Sequence, residues 1–243
     1  MATKLTGFPY LSGQDILSNS STQTMPIGSY METADGRGFR YAKNGAVATV
    51  AGKVYQSSAL DATNYQPSGG LGVAAQAIGD TSVTISTSTT IAANALAGGY
   101  LSVDVTPGQG YLYRIASNTA TSGAVGCVIT LEDPLLVALT TSSKVIVTPH
   151  PYSGVVIEPG TPTGVIAGVP NSVFTAAYYF WIQTHGTCSV LFTGTGVAGK
   201  AVGSLSGGTS GSMAPAIAAT NIGGYNIATS ITGEYALIFL NID

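Results

Sequence analysis

Apolar and polar residues alternate with a period of two along much of this chain. Val83 and Ile85 alternate with Ser and Thr over residues 82–87; Leu101, Val103 and Val105 alternate with Ser102 and Asp104; Tyr111, Tyr113 and Ile115 alternate with Leu112 and Arg114. This period sends successive side chains to opposite faces of a strand. Between the last two runs, Thr106-Pro107-Gly108-Gln109-Gly110 has the chemistry of a hairpin loop. Three tighter hairpins are predicted: residues 39–43 with 46–50 across Asn44-Gly45, 179–184 with 187–192 across His185-Gly186, and 225–231 with 235–240 across Thr232-Gly233. Helical signals are confined to Asp133-Pro134 opening a short helix through Leu139, and to one turn over residues 92–97 before Gly98-Gly99. The chain reads as all-β, an antiparallel β-barrel or sandwich.

Turn spacing divides it further. Residues 1–30 mix isolated apolar side chains with Ser, Thr, Asn and Gln without a period, and read either as an extended N-terminal arm that orders on a neighbour or as a loosely packed tail. Residues 78–158 carry strands with turn signals about every ten residues, as a small barrel or sandwich requires. The hairpin of residues 31–77 cannot bury a core alone. It is expected to join residues 163–243 in a main β-barrel, with 78–158 as an inserted β domain.

Composition narrows the function. Of 243 residues, 45% are hydrophobic and 8% charged, against about 25% charged in ordinary soluble domains. The net charge is −3 and the mean hydropathy +0.34. Eight scattered cations give no footprint for nucleic acid. No apolar run approaches the ~18 residues of a membrane span, and the first residues, with one lysine and no apolar segment behind it, do not read as a secretory signal. A chain so poor in charge must draw its surface polarity from Ser, Thr, Asn and Gly, or be covered by partners. Both fit a component of a large assembly better than a freely diffusing enzyme. Cys127 and Cys188 lack any framework spacing and read as buried thiols, with a disulfide left open.

Motifs that look chemical do not hold together. Gly194-Thr195-Gly196-Val197-Ala198-Gly199-Lys200-Ala201 matches G-x-G-x-x-G and most of a P-loop, but Ala201 stands where Ser or Thr would bind Mg²⁺. The Gly-rich residues that follow cannot make the helix a phosphate site needs. His185 and Cys188 lack further metal ligands nearby, and both His185 and His150 read as turn residues. Gly203-Ser204-Leu205-Ser206-Gly207 is no nucleophile elbow, having leucine at its centre, and the carboxylates do not cluster as a calcium site would. No catalytic residue, metal or cofactor is expected. Charge concentrates in Glu32, Asp35, Arg37, Arg40, Lys43 and Lys53, which read either as a docking patch for an acidic neighbour or as a solvated hairpin face. Most of the thirteen tyrosines are expected in the core.

Several segments resemble tailed-bacteriophage head proteins: Gly36-Arg37-Gly38-Phe39-Arg40-Tyr41-Ala42-Lys43-Asn44-Gly45 with Val50-Ala51-Gly52-Lys53, Val128-Ile129-Thr130-Leu131-Glu132-Asp133-Pro134-Leu135, Tyr178-Tyr179-Phe180-Trp181-Ile182-Gln183-Thr184-His185-Gly186, and the closing strands from Ile222-Gly223 through Gly233-Glu234-Tyr235-Ala236-Leu237-Ile238-Phe239-Leu240. The resemblance covers about a third of the chain and implies a β-barrel virion protein. Such a protein sits on the capsid exterior against the major capsid protein, often as a homotrimer, and stabilises the head as a decoration or cement protein assembled in the host cytoplasm. The inserted region departs from the single-barrel pattern of small decoration proteins. The interface candidates are Leu5, Phe8, Tyr10, Ile16 and Leu17 on the arm, and Arg37, Arg40 and Lys43 on the first hairpin. A host-surface or carbohydrate-binding head-fibre or tail component is the alternative, marked by a solvent-facing aromatic cluster. A hydrolase with dispersed residues would place a serine or carboxylate beside His150 or His185 in a cleft.

Overall fold

The structure, a computed structural model, describes residues 15–59, 65, 69–88, 90–122, 126–204, 206–217 and 221–243. Their regular structure is entirely β. The chain divides into two compact units: residues 60–150, and the flanking segments that end at Ala59 and begin at Pro151. The first flank supplies β1 (Asn19–Ser20), β2 (Tyr30–Glu32), β3 (Gly38–Asn44) and β4 (Tyr55–Gln56). The inner unit supplies β5 (Leu71–Gly72), β6 (Ser82–Ile85), β7 (Tyr100–Val105), β8 (Leu112–Asn118), β9 (Cys127–Leu131) and β10 (Lys144–Thr148). The second flank supplies β11 (Ser153–Ile157), β12 (Ile166–Gly168), β13 (Tyr179–Leu191), β14 (Ala201–Ser204), β15 (Ala214–Pro215), β16 (Asn221–Asn226) and β17 (Tyr235–Asn241).

In the inner unit the strands run antiparallel in the order β5-β10-β7-β8-β9-β6. The sheet closes on itself. Val73 bridges Ile85, Ser86 N–H donates to the Gly72 carbonyl at 2.8 Å, and Ala74 N–H to that of Thr84 at 3.0 Å. The result is a small barrel whose interior holds the apolar half of each alternation, including Val83, Ile85, Leu101, Val103, Ile115, Ile129, Val145 and Val147. The β7–β8 hairpin forms as read, with Leu101 opposite Tyr113.

No helix forms over residues 133–139. Leu139 and Gln76 exchange backbone bonds of 2.9 and 3.0 Å, and the Leu135 N–H and carbonyl are taken by Asp80 and Gly79, each at 2.9 Å. Backbone groups satisfied across the barrel are not available for helical bonds. Residues 92–97 form turns, with Asn94 at φ +60° and Leu96 held by its N–H to Asn118 Oδ1 at 2.9 Å.

The flanks build an eleven-stranded sheet in the order β12-β4-β11-β3-β13-β17-β16-β14-β15, with β1 on β13 and β2 on β3. Its strands pair antiparallel except β11 and β3. Two of the predicted tight hairpins are replaced by long-range pairing. β3 does not fold back on residues 46–50; Asn44 is buried, its amide donating to the Val47 and Thr175 carbonyls at 2.8 and 3.0 Å, and Gly45 N–H bonds Val155. His185-Gly186 is no turn but the interior of the thirteen-residue strand β13. The register shifts between Gln183 and His185, and Gly186 takes φ +82° there. The buried Gln183 side chain bridges the irregularity by donating to the His185 and Thr187 carbonyls, each at 2.9 Å. β16 and β17 pair, with Tyr225 opposite Phe239, but not across the tight turn read at Thr232-Gly233: β16 ends at Asn226, Ile227 N–H still reaches the Leu237 carbonyl, and the residues from 228 to 234 form a longer loop in which Ser230 bridges Gly196 and Gly233 takes φ +86°.

At β3 and β13 both faces of the sheet are buried. Ala42, Phe180 and Ile182 pack with Tyr55, Val155 and Phe174 on one side. Phe39, Tyr41 and Trp181 lie on the other, under Ile16, Met25 and Met31. Residues 15–30, expected within an arm that orders on a neighbour, are thus laid on their own sheet. Tyr41 Oη anchors them at Thr24, accepting from its N–H at 3.1 Å and lying 3.0 Å from its Oγ1. The inner unit also differs at both ends from the insert read at 78–158. β5 belongs to the small barrel through β10, and β11 belongs to the large sheet through β3 and β4.

Because, among the described residues, the small barrel's core and the Tyr65 packed against it all lie within residues 65–147, a fragment of residues 60–150 is expected to fold alone. It should give one cooperative urea transition, and Ile115→Ala should cost it about 2–5 kcal/mol. A fragment without a transition would refute this.

Candidate interaction face and polar clefts

The central strands β13, β17 and β16 set out two contrasting surfaces. The inward face carries Cys188, Val190, Ala236, Ile238 and Leu240, buried with Val54, Phe192 and Met213. The outward face of β17 carries Tyr235, Leu237 and Phe239, which are 51%, 44% and 40% exposed. Beside them on β16 and just beyond stand Tyr225 and Ile227, at 45% and 42%. Tyr225 is opposite Phe239, and Ile227 N–H donates to the Leu237 carbonyl at 2.9 Å. Gly223 is the extra residue of a register shift against β14, so Ile222 stays outward as well, 57% exposed. On the other flank, Thr187 and Ser189 of β13 lie opposite Phe239 and Leu237. An apolar patch two strands wide is therefore bordered by a row of hydroxyls.

A cleft of about 510 Å³ is lined by Tyr30, Glu32, Arg40, His185 and Asp243. The register aligns Glu32, Gly38, His185 and Asn241 across four strands. Gly38 keeps this row open: a Cβ there would collide with Tyr30 Oη and stand 2.9 Å from His185 Cβ. Tyr30 Oη donates to Glu32 Oε1 at 2.8 Å, and burial together with that carboxylate pushes the phenol pKa up to about 12. Arg40 Nε pairs with Asp243 Oδ2 at 3.0 Å, its Nη1 donates to the Gly28 carbonyl at 2.8 Å, and its guanidinium lies 5.1 Å from the Tyr30 ring. His185 meets Phe239 edge-on, with centroids 5.1 Å apart. The cleft does bring carboxylates to His185, the arrangement named above for a hydrolase. Each carboxylate already has a partner in the chain.

A larger cleft of about 660 Å³ is lined by residues that include Ile16, Leu17, Arg37, Cys188 and Tyr235. Burial pushes the Cys188 thiol up to about 12, opposite to the activation a nucleophilic cysteine needs. Cys127 and Cys188 are both buried free thiols, one in each unit.

The expected interface residues are therefore distributed. Leu5, Phe8 and Tyr10 lie outside the described residues. Ile16 packs on the Trp181 cluster while Leu17 is exposed, and both reach the larger cleft with Arg37. Arg37 pairs with Asp35 at 2.8 Å, and the Asp35 carboxyl, bonded by the Thr33 hydroxyl and by Arg37, is held below the usual carboxylate range. Arg40 belongs to the smaller cleft, and Lys43 Nζ lies 5.4 Å from the Tyr179 ring. The two arginines of the charge cluster are thus neutralised within the chain. His150 is 7% exposed and tilted against Tyr100 at 5.8 Å. The Gly194–Gly199 loop leads straight into β14, a strand where a phosphate site needs a helix. The outward row of β17 was missed as a surface. Its signal was the unbroken apolar run from Tyr235 to Leu240, in which both faces are apolar.

The chain matches no family model, no curated protein and no solved structure.

Glu158 is 2% exposed, and its carboxylate accepts from Ser204 Oγ at 2.8 Å. Burial raises its pKa above the ordinary carboxylate value. Stability from this group is present below that ordinary value and lost as pH rises through the raised one. Glu158→Gln should therefore melt higher than wild type at neutral pH, with the difference closing towards pH ~4. A lower melting temperature at neutral pH would contradict this.

Proposed function

We propose that this chain is a non-enzymatic structural component of a tailed-bacteriophage head, a decoration protein that coats the capsid exterior as a homo-oligomer, most simply a homotrimer, bound to the major capsid protein. One observation carries the reading: large apolar side chains stand exposed throughout a chain with only 8% charged residues. Ile78, Leu112 and Leu136 are 63–67% exposed in the small barrel, and Val165, Ile217 and Ile222 are 57–60% exposed in the large sheet. Single exposed apolar residues are ordinary, but they normally sit among many charges. Here the dilution is missing, so covering the surface is the way such a chain stays dispersed.

The mechanism is binding. Each Å² of apolar surface covered contributes about 25 cal/mol before ordering costs. Several copies held in a ring bind a repeating shell together, which raises affinity without new chemistry. The protein assembles in the host cytoplasm and resides on the virion.

A second reading is favoured by a specific feature, the solvent-facing rings of Tyr225, Tyr235 and Phe239. Such rings could stack on sugars, as a host-surface or carbohydrate-binding fibre component would use them.

The purified full-length chain should run as an oligomer in light scattering and co-sediment with shells built from the major capsid protein. A monomer that ignores shells but is retained on host-envelope glycans would replace the first reading with the second.

A further inference from the structure

We propose that the outward face of β16 and β17, made of Ile222, Tyr225, Ile227, Tyr235, Leu237 and Phe239, is where copies of this chain meet one another. The proposal rests on the oligomeric reading above and assigns the surface that makes the oligomer.

The strand sequence calls for a cover on both sides. β17 alternates Tyr235, Leu237 and Phe239 with Ala236, Ile238 and Leu240, so neither face is written for water. The inward set is buried by the chain itself. At β3 and β13, the chain covers both faces with its own residues, using Ile16, Met25 and Met31 on the second. At β16 and β17 the second face stays exposed.

The geometry limits how a partner approaches. β17 lies between β13 and β16, so its backbone bonds are taken and strand addition is closed off. What remains is packing of side chains, with this face of each copy turned inward around the axis of the oligomer. None of the six is Asp, Glu, Lys, Arg or His, so like copies meet without opposing like charges despite a net charge of −3 each. An acidic or basic partner would find no counter-charge among these six side chains. The six side chains together offer on the order of 600 Å² per copy, near the ~800 Å² per partner of a standard interface. Aromatic centre and hydroxyl border, the latter from Thr187 and Ser189, match the core and rim of such contacts.

The test is sedimentation velocity of the full chain over a wide concentration range, comparing wild type, Leu237→Asp, the milder Leu237→Thr, and Val173→Asp as a control on another exposed apolar residue. Leu237→Asp should weaken self-association at least ~10-fold and Leu237→Thr less, with circular dichroism and melting unchanged and with Val173→Asp indistinguishable from wild type. If Leu237→Asp does not fold, Leu237→Thr carries the comparison. Undiminished oligomers in both Leu237 variants would overturn the proposal. If those oligomers also lost shell binding, the face would be the shell contact, leaving the decoration reading intact. A wild-type chain that is monomeric throughout and ignores shells would overturn both.

Discussion

The large sheet depends on one strand satisfying two neighbours in succession. β13 bonds β3 along residues 179–185 and β17 along residues 185–191, so the strand order passes from one half of the sheet to the other through its length. The handover falls at the irregularity around Thr184, where Gly186 supplies the positive φ and Gln183 takes up the displaced carbonyls. That arrangement also fixes the surfaces. It puts Trp181 under the cover of residues 15–31 at one end, and it leaves Phe239 and Leu237 beside Thr187 and Ser189 at the other.

Two apolar regions of the same sheet are thus treated differently. Burying an aromatic side chain is worth a few kcal/mol only if something is there to cover it. Near Trp181 the covering segment is local in sequence to β2 and β3, so its ordering costs little beyond a short loop. Near Phe239 no comparable segment lies on the outward face among the described residues. With so few charges elsewhere to keep the molecule dispersed, this imbalance is the physical basis for reading the protein as part of an assembly.

The polar cleft gathers suggestive residues whose polar groups are largely engaged with one another. Glu32, Asp243, His185 and Tyr30 converge on one opening, yet the tyrosine bonds one carboxylate and Arg40 the other. Reactivity needs a group poised to exchange a proton, and Tyr30 is moved away from neutrality by its surroundings. Sequence reading found Arg37 and Arg40 through their clustering but could not see that Asp35 and Asp243, the latter two hundred residues away, would occupy them.

The sequence by itself determined the class of fold and much of the small barrel, because period-two alternation and a glycine-bearing loop act within a few residues of each other, as at β7 and β8. It also determined that little of the surface would be charged. Only the tertiary structure decided whether Asn44-Gly45 and His185-Gly186 were turns. Both dipeptides accept turn geometry, but β3 and β13 gain more by pairing with each other over six positions than by folding back on their own neighbours. It likewise decided which apolar residues face outward. An unbroken apolar run such as 235–240 states that both faces want cover, and the rest of the fold settles which one the chain can reach.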